Sequence, residues 1–265
     1  MHTVNIVKRR YRYIVVVDDL WDKQTWEIIK CALVKNRCGS RILTTTRKYD
    51  VAKLCCSCLG DHVYEMSPLN IVDSKTLFFK RIFYPEDRCP AQLAEASDEI
   101  LKKCGGLPLA IISISSLSAS KPKSIDQWNK VKVSLSCTFE KTPDMETMRQ
   151  IISLSYFDLP NHLKTCLLYL SIFPEGCEIR RERLVSRWIA EGFVSQKQGQ
   201  NIYEVGDSYF NELINRSLIQ PASISRNGQI NACQVDDTIH DFIVSKSTEE
   251  NFATLIGASK LVPMP

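Results

Sequence analysis

Residues Tyr13 to Asp22 read Y-I-V-V-V-D-D-L-W-D, a β-branched apolar run closed by the paired carboxylates Asp18 and Asp19. An uninterrupted run of this length, bounded by acids, is the pattern of a strand buried on both faces of a parallel sheet. A second β-branched run, Ser40 to Thr46 (S-R-I-L-T-T-T), ends at Arg47, and the helical pattern Lys23 to Leu33 lies between the two. Strand, helix and strand at that spacing predict a βαβ unit, with His62 to Met66 (H-V-Y-E-M) as a third strand.

Beyond Ser67-Pro68 the periodicity changes from strand to helix. Ile71 to Phe83, with Asp73 or Ser74 as cap, and Ala91 to Lys103, stopped by Gly105-Gly106, read as helices; Leu109 to Leu117 and Ile125 to Leu135 follow. A polar stretch, Thr138 to Pro143, reads as a linker. Four more helical patterns come next, at Glu146 to Phe157, Leu163 to Ile172, Arg181 to Ile189 and Glu204 to Arg216, broken at Leu159-Pro160, Phe173-Pro174 and the polar tract Ser195 to Gln200. Ser217 to Arg226 and Gln229 to Val235 then flank Asn227-Gly228, a strong hairpin signal because both turn positions favour positive φ. Helices, a hairpin and a last helix over Thr238 to Ser247 describe a winged helix. The expected fold class is therefore α/β plus α: a partial parallel-sheet domain over 1–67, a helical domain over 68–142, a winged-helix domain over 143–250 and a tail over 251–265.

Composition narrows the setting. The 265 residues are 44% hydrophobic and 24% charged, ordinary for a globular protein, and a net charge of +4 is too mild to announce a nucleic-acid partner. Eleven irregularly spaced cysteines, with no secretory signal, fit reduced thiols and a cytoplasmic setting. No apolar stretch approaches the ~18 residues of a membrane span, so no membrane partner is expected.

The carboxyl end of the first strand is where phosphoryl chemistry would sit. A carboxylate at Asp18 suits Mg²⁺, a hard cation that takes oxygen ligands, and Asp19 beside it would orient an attacking water. The residues alone equally allow a polar helix cap. Arg47 could reach a γ-phosphate with its planar guanidinium, or be a surface arginine after a strand. Gly105-Gly106-Leu107-Pro108 allows close backbone approach to a flat ligand, and is also a helix stop and restart. Cys55, Cys56 and Cys58 cluster, but without the paired ligands that zinc requires. Arg180, Arg183 and Arg187 on one helix face could read DNA, although Leu184, Trp188, Val185 and Ile189 look like core and Glu182 dilutes the charge. The loop pattern G-x-x-x-x-G-K-[ST], which cradles phosphates, does not occur in the sequence.

In this order the stretches resemble the NB-ARC module of plant nucleotide-binding leucine-rich-repeat immune receptors. Val15 to Trp21 resembles the second kinase motif, Gly39 to Arg47 the sensor strand and Gly106 to Leu109 the G-L-P-L motif. Cys166 to Gly176, Arg187 to Val194 and Gln234 to Asp241 resemble the later motifs, and Trp21 points to the coiled-coil class. The resemblance implies an ADP/ATP-controlled switch in defence, with Mg²⁺ at Asp18, a catalytic role for Asp19, and nucleotide contacts from Arg47, Gly106, Leu107, Pro108 and Leu109. In the family's Met-His-Asp motif a histidine touches the β-phosphate; here the motif reads Val235-Asp236-Asp237, which places an acid, Asp236, at that position. The expected product is an amino-terminally truncated NTPase-type module, not an active enzyme, whose partners are a coiled coil, leucine-rich repeats or other receptors. The alternatives are an inactive product of a decayed or incompletely assembled gene, and a winged-helix DNA-binding protein.

Overall fold

The computed structural model describes residues 12–33, 39–56, 60–83, 90–136, 145–195 and 199–253. The linker expected at 138–143, Cys58, part of the tract 195–200 and most of the tail lie outside the described residues. Two compact units are present, Met1–Ser67 and Pro68–Pro265.

In the first unit, strand β1 (Ile14–Val17) pairs in parallel with β2 (Arg41–Thr44), Ile14 opposite Arg41 and Val17 opposite Thr44. Helix α1 (Lys23–Ala32) crosses between them, and a short helix α2 (Tyr49–Cys55) follows β2. Asp22 starts α1: its carboxylate accepts from the Thr25 N–H at 2.8 Å, satisfying a donor that the helix itself leaves open. A small core of Leu20, Trp26 and Val51, with Val17, Ile29, Leu33, Leu54 and Cys55 packed on it, holds strand and helices together.

Two expectations fail here. The first strand is not buried on both faces, since Ile14 and Val16 are 71% and 61% exposed while Val15 and Val17 are half-buried. Leu43, the partner of Val16, is exposed on the same side. His62 to Met66 is not a strand: it runs without ladder pairing and exposes Tyr64 and Met66. Alternating apolar residues make a strand only where a neighbour supplies the hydrogen bonds.

The second unit is helical and then winged. Helices α3 (Ile71–Ile82), α4 (Ala91–Cys104), α5 (Pro108–Ala119) and α6 (Ile125–Ser136) are followed by α7 (Met145–Phe157) and α8 (Asn161–Leu168), which runs on into a 3₁₀ turn over Tyr169–Ile172. Asn70, rather than Asp73 or Ser74, caps α3, its side chain accepting from the Asp73 N–H at 2.9 Å. Strand β3 (Ile179–Arg180), helix α9 (Arg181–Ala190), helix α10 (Ile202–Asn215), the hairpin β4 (Gln220–Ile224) and β5 (Ile230–Gln234), and helix α11 (Asp237–Glu249) complete it. The sheet order is β3-β5-β4, all antiparallel. Pro221 sits on edge strand β4, where a missing N–H is tolerated.

The hairpin loop is longer than the Asn-Gly pair suggests. Gly228 has φ +81 but Asn227 is not in the positive-φ region, and the Ser225 N–H donates to the Gln229 carbonyl at 2.8 Å across a five-residue turn.

One apolar core runs through this unit from Phe78 on α3, through Trp128 and Ile151, to Leu184, Trp188 and Phe210, and ends at Ile243 on α11. A polar tie accompanies it: the Arg81 guanidinium donates to the hydroxyls of Ser116 at 3.2 Å and Ser217 at 2.5 Å. Ser217 ends α10 at φ +58, a left-handed position. Among the described residues no helix is long and apolar enough to cross a membrane.

Candidate functional site

At the carboxyl end of β1 the chain turns through Asp18 and Asp19 and meets the end of β2. Pairing continues past the strands proper: the Thr45 N–H donates to the Val17 carbonyl at 3.0 Å, and the Leu20 N–H to the Thr45 carbonyl at 2.9 Å. The Thr45 hydroxyl stands between the two acids, donating to the Asp18 carboxylate and accepting from the Asp19 N–H at 2.8 Å. Asp18 is exposed, and hard oxygens from an acid and a hydroxyl thus converge at one strand end.

Asp19 holds φ +50, a left-handed conformation unusual for any residue with a side chain. Its carboxylate is held twice. Trp21 Nε1 donates to Oδ2 at 2.6 Å, and Arg47 Nε lies 3.5 Å from Oδ1. The Arg47 guanidinium carbon sits 4.8 Å from the Trp21 ring centroid and Lys48 Nζ lies 5.6 Å from it, so cation–π attraction and ion pairing act on the same arginine. Asp18, Asp19 and Arg47 are therefore brought together. The helix-capping role falls to neither Asp18 nor Asp19 but to Asp22, whose carboxyl is held below its ordinary range chiefly by the Thr25 N–H. Thr45 was not singled out from sequence, although the T-T-T run that carries it was in view.

In the second unit Gly105 ends α4 at φ +57 and Gly106 follows at φ +73. The Gly106 carbonyl accepts from the Leu69 N–H at 2.9 Å, and a Cβ on Gly106 would stand 2.3 Å from the Leu69 carbonyl oxygen. Close backbone approach is thus real, and the backbone that approaches belongs to Leu69. Pro108 begins α5 with its ring exposed, whereas Leu107 and Leu109 pack partly against the core. Asp236 caps α11, its carboxylate accepting from the Thr238 N–H at 2.9 Å.

Of the arginines considered for DNA, Arg180 lies in β3 and not on the helix, whereas Arg183 and Arg187 stand one turn apart on α9, Arg183 exposed and Arg187 over the Phe173 ring at 5.5 Å. Leu184, Val185 and Trp188 are core, as their spacing suggested.

A parallel strand pair presenting acids to a Thr-Arg strand end, followed by helices and a winged helix, is the class of architecture the sequence pattern pointed to. Comparison with known proteins agrees. Residues 2–88 match the NB-ARC domain, and residues 172–243 match the disease resistance protein winged helix domain. The chain is 38% identical over 255 residues to disease resistance protein RGA5 of Oryza sativa subsp. japonica, covering 96% of this chain and 23% of that protein. It is 42% identical over 248 residues to disease resistance protein Pik-2 of the same organism, covering 92% of this chain and 24% of that protein. Against disease resistance protein RPM1 of Arabidopsis thaliana it is 35% identical over 243 residues, covering 91% and 26%. The chain belongs to the NB-ARC-containing plant disease resistance proteins, and it spans about a quarter of the length of these relatives. The NB-ARC segment is a nucleotide-binding module of the P-loop NTPase type.

Proposed function

We infer that this chain is the regulatory switch segment of a plant immune receptor, responding to ADP and ATP in the cytoplasm. The observation that carries this is the convergence of Asp18, Asp19, Thr45 and Arg47 at one strand end within the NB-ARC match. In this reading Asp18 and the Thr45 hydroxyl supply hard oxygens to a Mg²⁺ that neutralises phosphate charge. Asp19 faces the terminal phosphate region, and Arg47 is the guanidinium that meets the phosphate. Gly106 to Leu109 flank the base, with the exposed Pro108 ring as a packing surface. Residues 68–142 act as the helical domain and 143–250 as the winged-helix domain, and 251–265 leads toward leucine-rich repeats. Partners are the remaining receptor domains, a coiled coil among them, or other receptors.

Hydrolysis by these 265 residues alone is not part of this reading. Phosphate binding in the superfamily rests on backbone N–H groups and a lysine of a glycine-rich loop, and no such loop pattern occurs in the sequence. The test replaces the matching stretch of Pik-2 with this segment and measures co-purifying ADP before and after Asp18→Ala. The expected result is bound ADP in the chimaera and weakened Mg²⁺-dependent retention in the variant. Retention unchanged by Asp18→Ala would overturn the metal assignment, and a folded chimaera without nucleotide would overturn the switch reading.

A further inference from the structure

Cys177 and Cys233 are brought together by the wing sheet, and neither is used by the site described above. Cys233 lies on the central strand β5 directly opposite Ile179, and it is fully buried. Cys177 stands two residues before Ile179, in the turn that leads into β3, and packs partly buried against the same core. Both are free thiols. Burial pushes the Cys233 thiol up to about 12, and the neighbouring Cys177 adds to the rise, a second sign of proximity.

We propose that Cys177 and Cys233 are a redox pair that closes a reversible disulfide between the Phe173 to Ile179 turn and the wing. Were the β3–β5 register extended back to Cys177, it would stand diagonal to Cys233, and diagonal neighbours on paired strands lie about 7–8 Å apart. A disulfide needs Cα atoms about 4.4–6.8 Å apart, so a small shift is required. Cys177 can supply it because it lies outside the ladder.

The oxidant is hydrogen peroxide. The half-buried Cys177 sulfur attacks the peroxide oxygen, the O–O bond breaks, and a sulfenic acid and water result. The Cys233 sulfur then attacks the sulfenic sulfur, the S–O bond breaks and a second water leaves. Each thiol gives up its proton and one electron, and the peroxide takes up both electrons. The high value for Cys233 makes the second step slow, because the thiolate is the attacking species.

The position gives the bond a consequence. Gln234 Nε2, next to Cys233, donates to the Gly176 carbonyl at 3.0 Å, and His240 Nε2 lies 3.0 Å from the Phe173 carbonyl. Between Gln234 and His240 lies Asp236, the cap of α11. A disulfide would fasten the turn to the segment carrying Asp236 and restrict any motion of the wing against it.

The test treats the purified chain with hydrogen peroxide, blocks remaining thiols by alkylation and maps tryptic peptides with and without dithiothreitol. Expected is a cross-linked species joining the Cys177 and Cys233 peptides, lost on reduction, kept in Cys166→Ser and lost in Cys177→Ser. Cys166 shares a tryptic peptide with Cys177, so that variant fixes the assignment. Amide exchange of residues 230–240 should slow on oxidation in the unsubstituted chain and not in Cys177→Ser. Cys177 trapped as a sulfenic or sulfinic acid with Cys233 still alkylatable after denaturation, or a cross-link that survives in Cys177→Ser, would overturn the proposal.

Discussion

The indole of Trp21 donates to the carboxylate of Asp19 at 2.6 Å. Through that bond an exposed aromatic fixes an acid that the backbone holds in a left-handed conformation. Arg47 closes the arrangement by pairing with Asp19 and stacking on Trp21. Trp21→Phe keeps the ring and removes the donor. It should cost about 1 kcal/mol in the first unit, below the ~1.5–3 kcal/mol of a hydrogen bond to a charged group because both side chains are partly in water. Chemical denaturation of the first unit, followed by amide exchange at Leu20 and Thr45, reads the loss. A double-mutant cycle with Arg47→Gln should be non-additive; simple additivity would show that the three side chains do not act together.

Acid should loosen α1 through Asp22. Its folded carboxyl lies below the ordinary value of 3.8, chiefly because of the Thr25 N–H. A depressed carboxyl contributes stability above its unfolded value, and that contribution is lost as pH falls through the folded one. Circular dichroism of the chain should therefore show α1 helicity declining below about pH 4. In Asp22→Asn the amide oxygen still caps, so helicity should persist and this acid step should disappear. An unchanged acid step in Asp22→Asn would assign the loss to another carboxylate.

Gly106→Ala should be far more damaging than Gly228→Ala although both glycines have positive φ. The added methyl at 106 meets the Leu69 carbonyl oxygen at 2.3 Å, whereas nothing lies within 4 Å at 228. Only the left-handed strain applies at 228, about 1 kcal/mol; at 106 the clash adds to it, for a total of about 3 kcal/mol or more. Urea midpoints of the two variants make the comparison. Equal shifts would mean that the Leu69 backbone moves aside without cost.

Asp236→His separates two roles of one position. The cap on Thr238 is lost, which should lower the stability of the second unit by about 1 kcal/mol, while Asp236→Asn should keep it. In the Pik-2 chimaera the same Asp236→His should raise co-purifying ADP, since a carboxylate near a phosphate is repulsive. Equal ADP content in the two chimaeras, with the cap effect present, would show that Asp236 faces its own helix and not the nucleotide.

The helices were legible because their periodicity is long and their ends are marked. Gly105 stops α4 and Pro108 restarts the chain one turn on, with no tertiary information needed. What escaped was short or depended on a partner. Helix α2 has seven residues and no side-chain cap, and β3 has two residues that form a strand only because β5 lies beside them. The converse error at His62 to Met66 has the same cause, since a β-like pattern gained no neighbour. At the site, Asp18, Asp19 and Arg47 could be named because charge at a strand end stands out. Thr45 could not be ranked above Thr44 or Thr46, because strand register alone sets its hydroxyl between the two acids. The hairpin was found, but the five-residue turn was not, because Ser225 closes it with bonds that the Asn-Gly pair does not encode.

The unbroken core from Phe78 to Ile243 bears on how such genes can recombine. A crossover near Ser67 and Pro68 leaves both apolar clusters whole, so segments exchanged there between related genes keep each interior native. A crossover between α6 and α7 would set Trp128 and Leu135 from one parent against Ile151 and Tyr156 from another. Close packing tolerates little change in volume, so such hybrids survive only where both parents match in size at those positions.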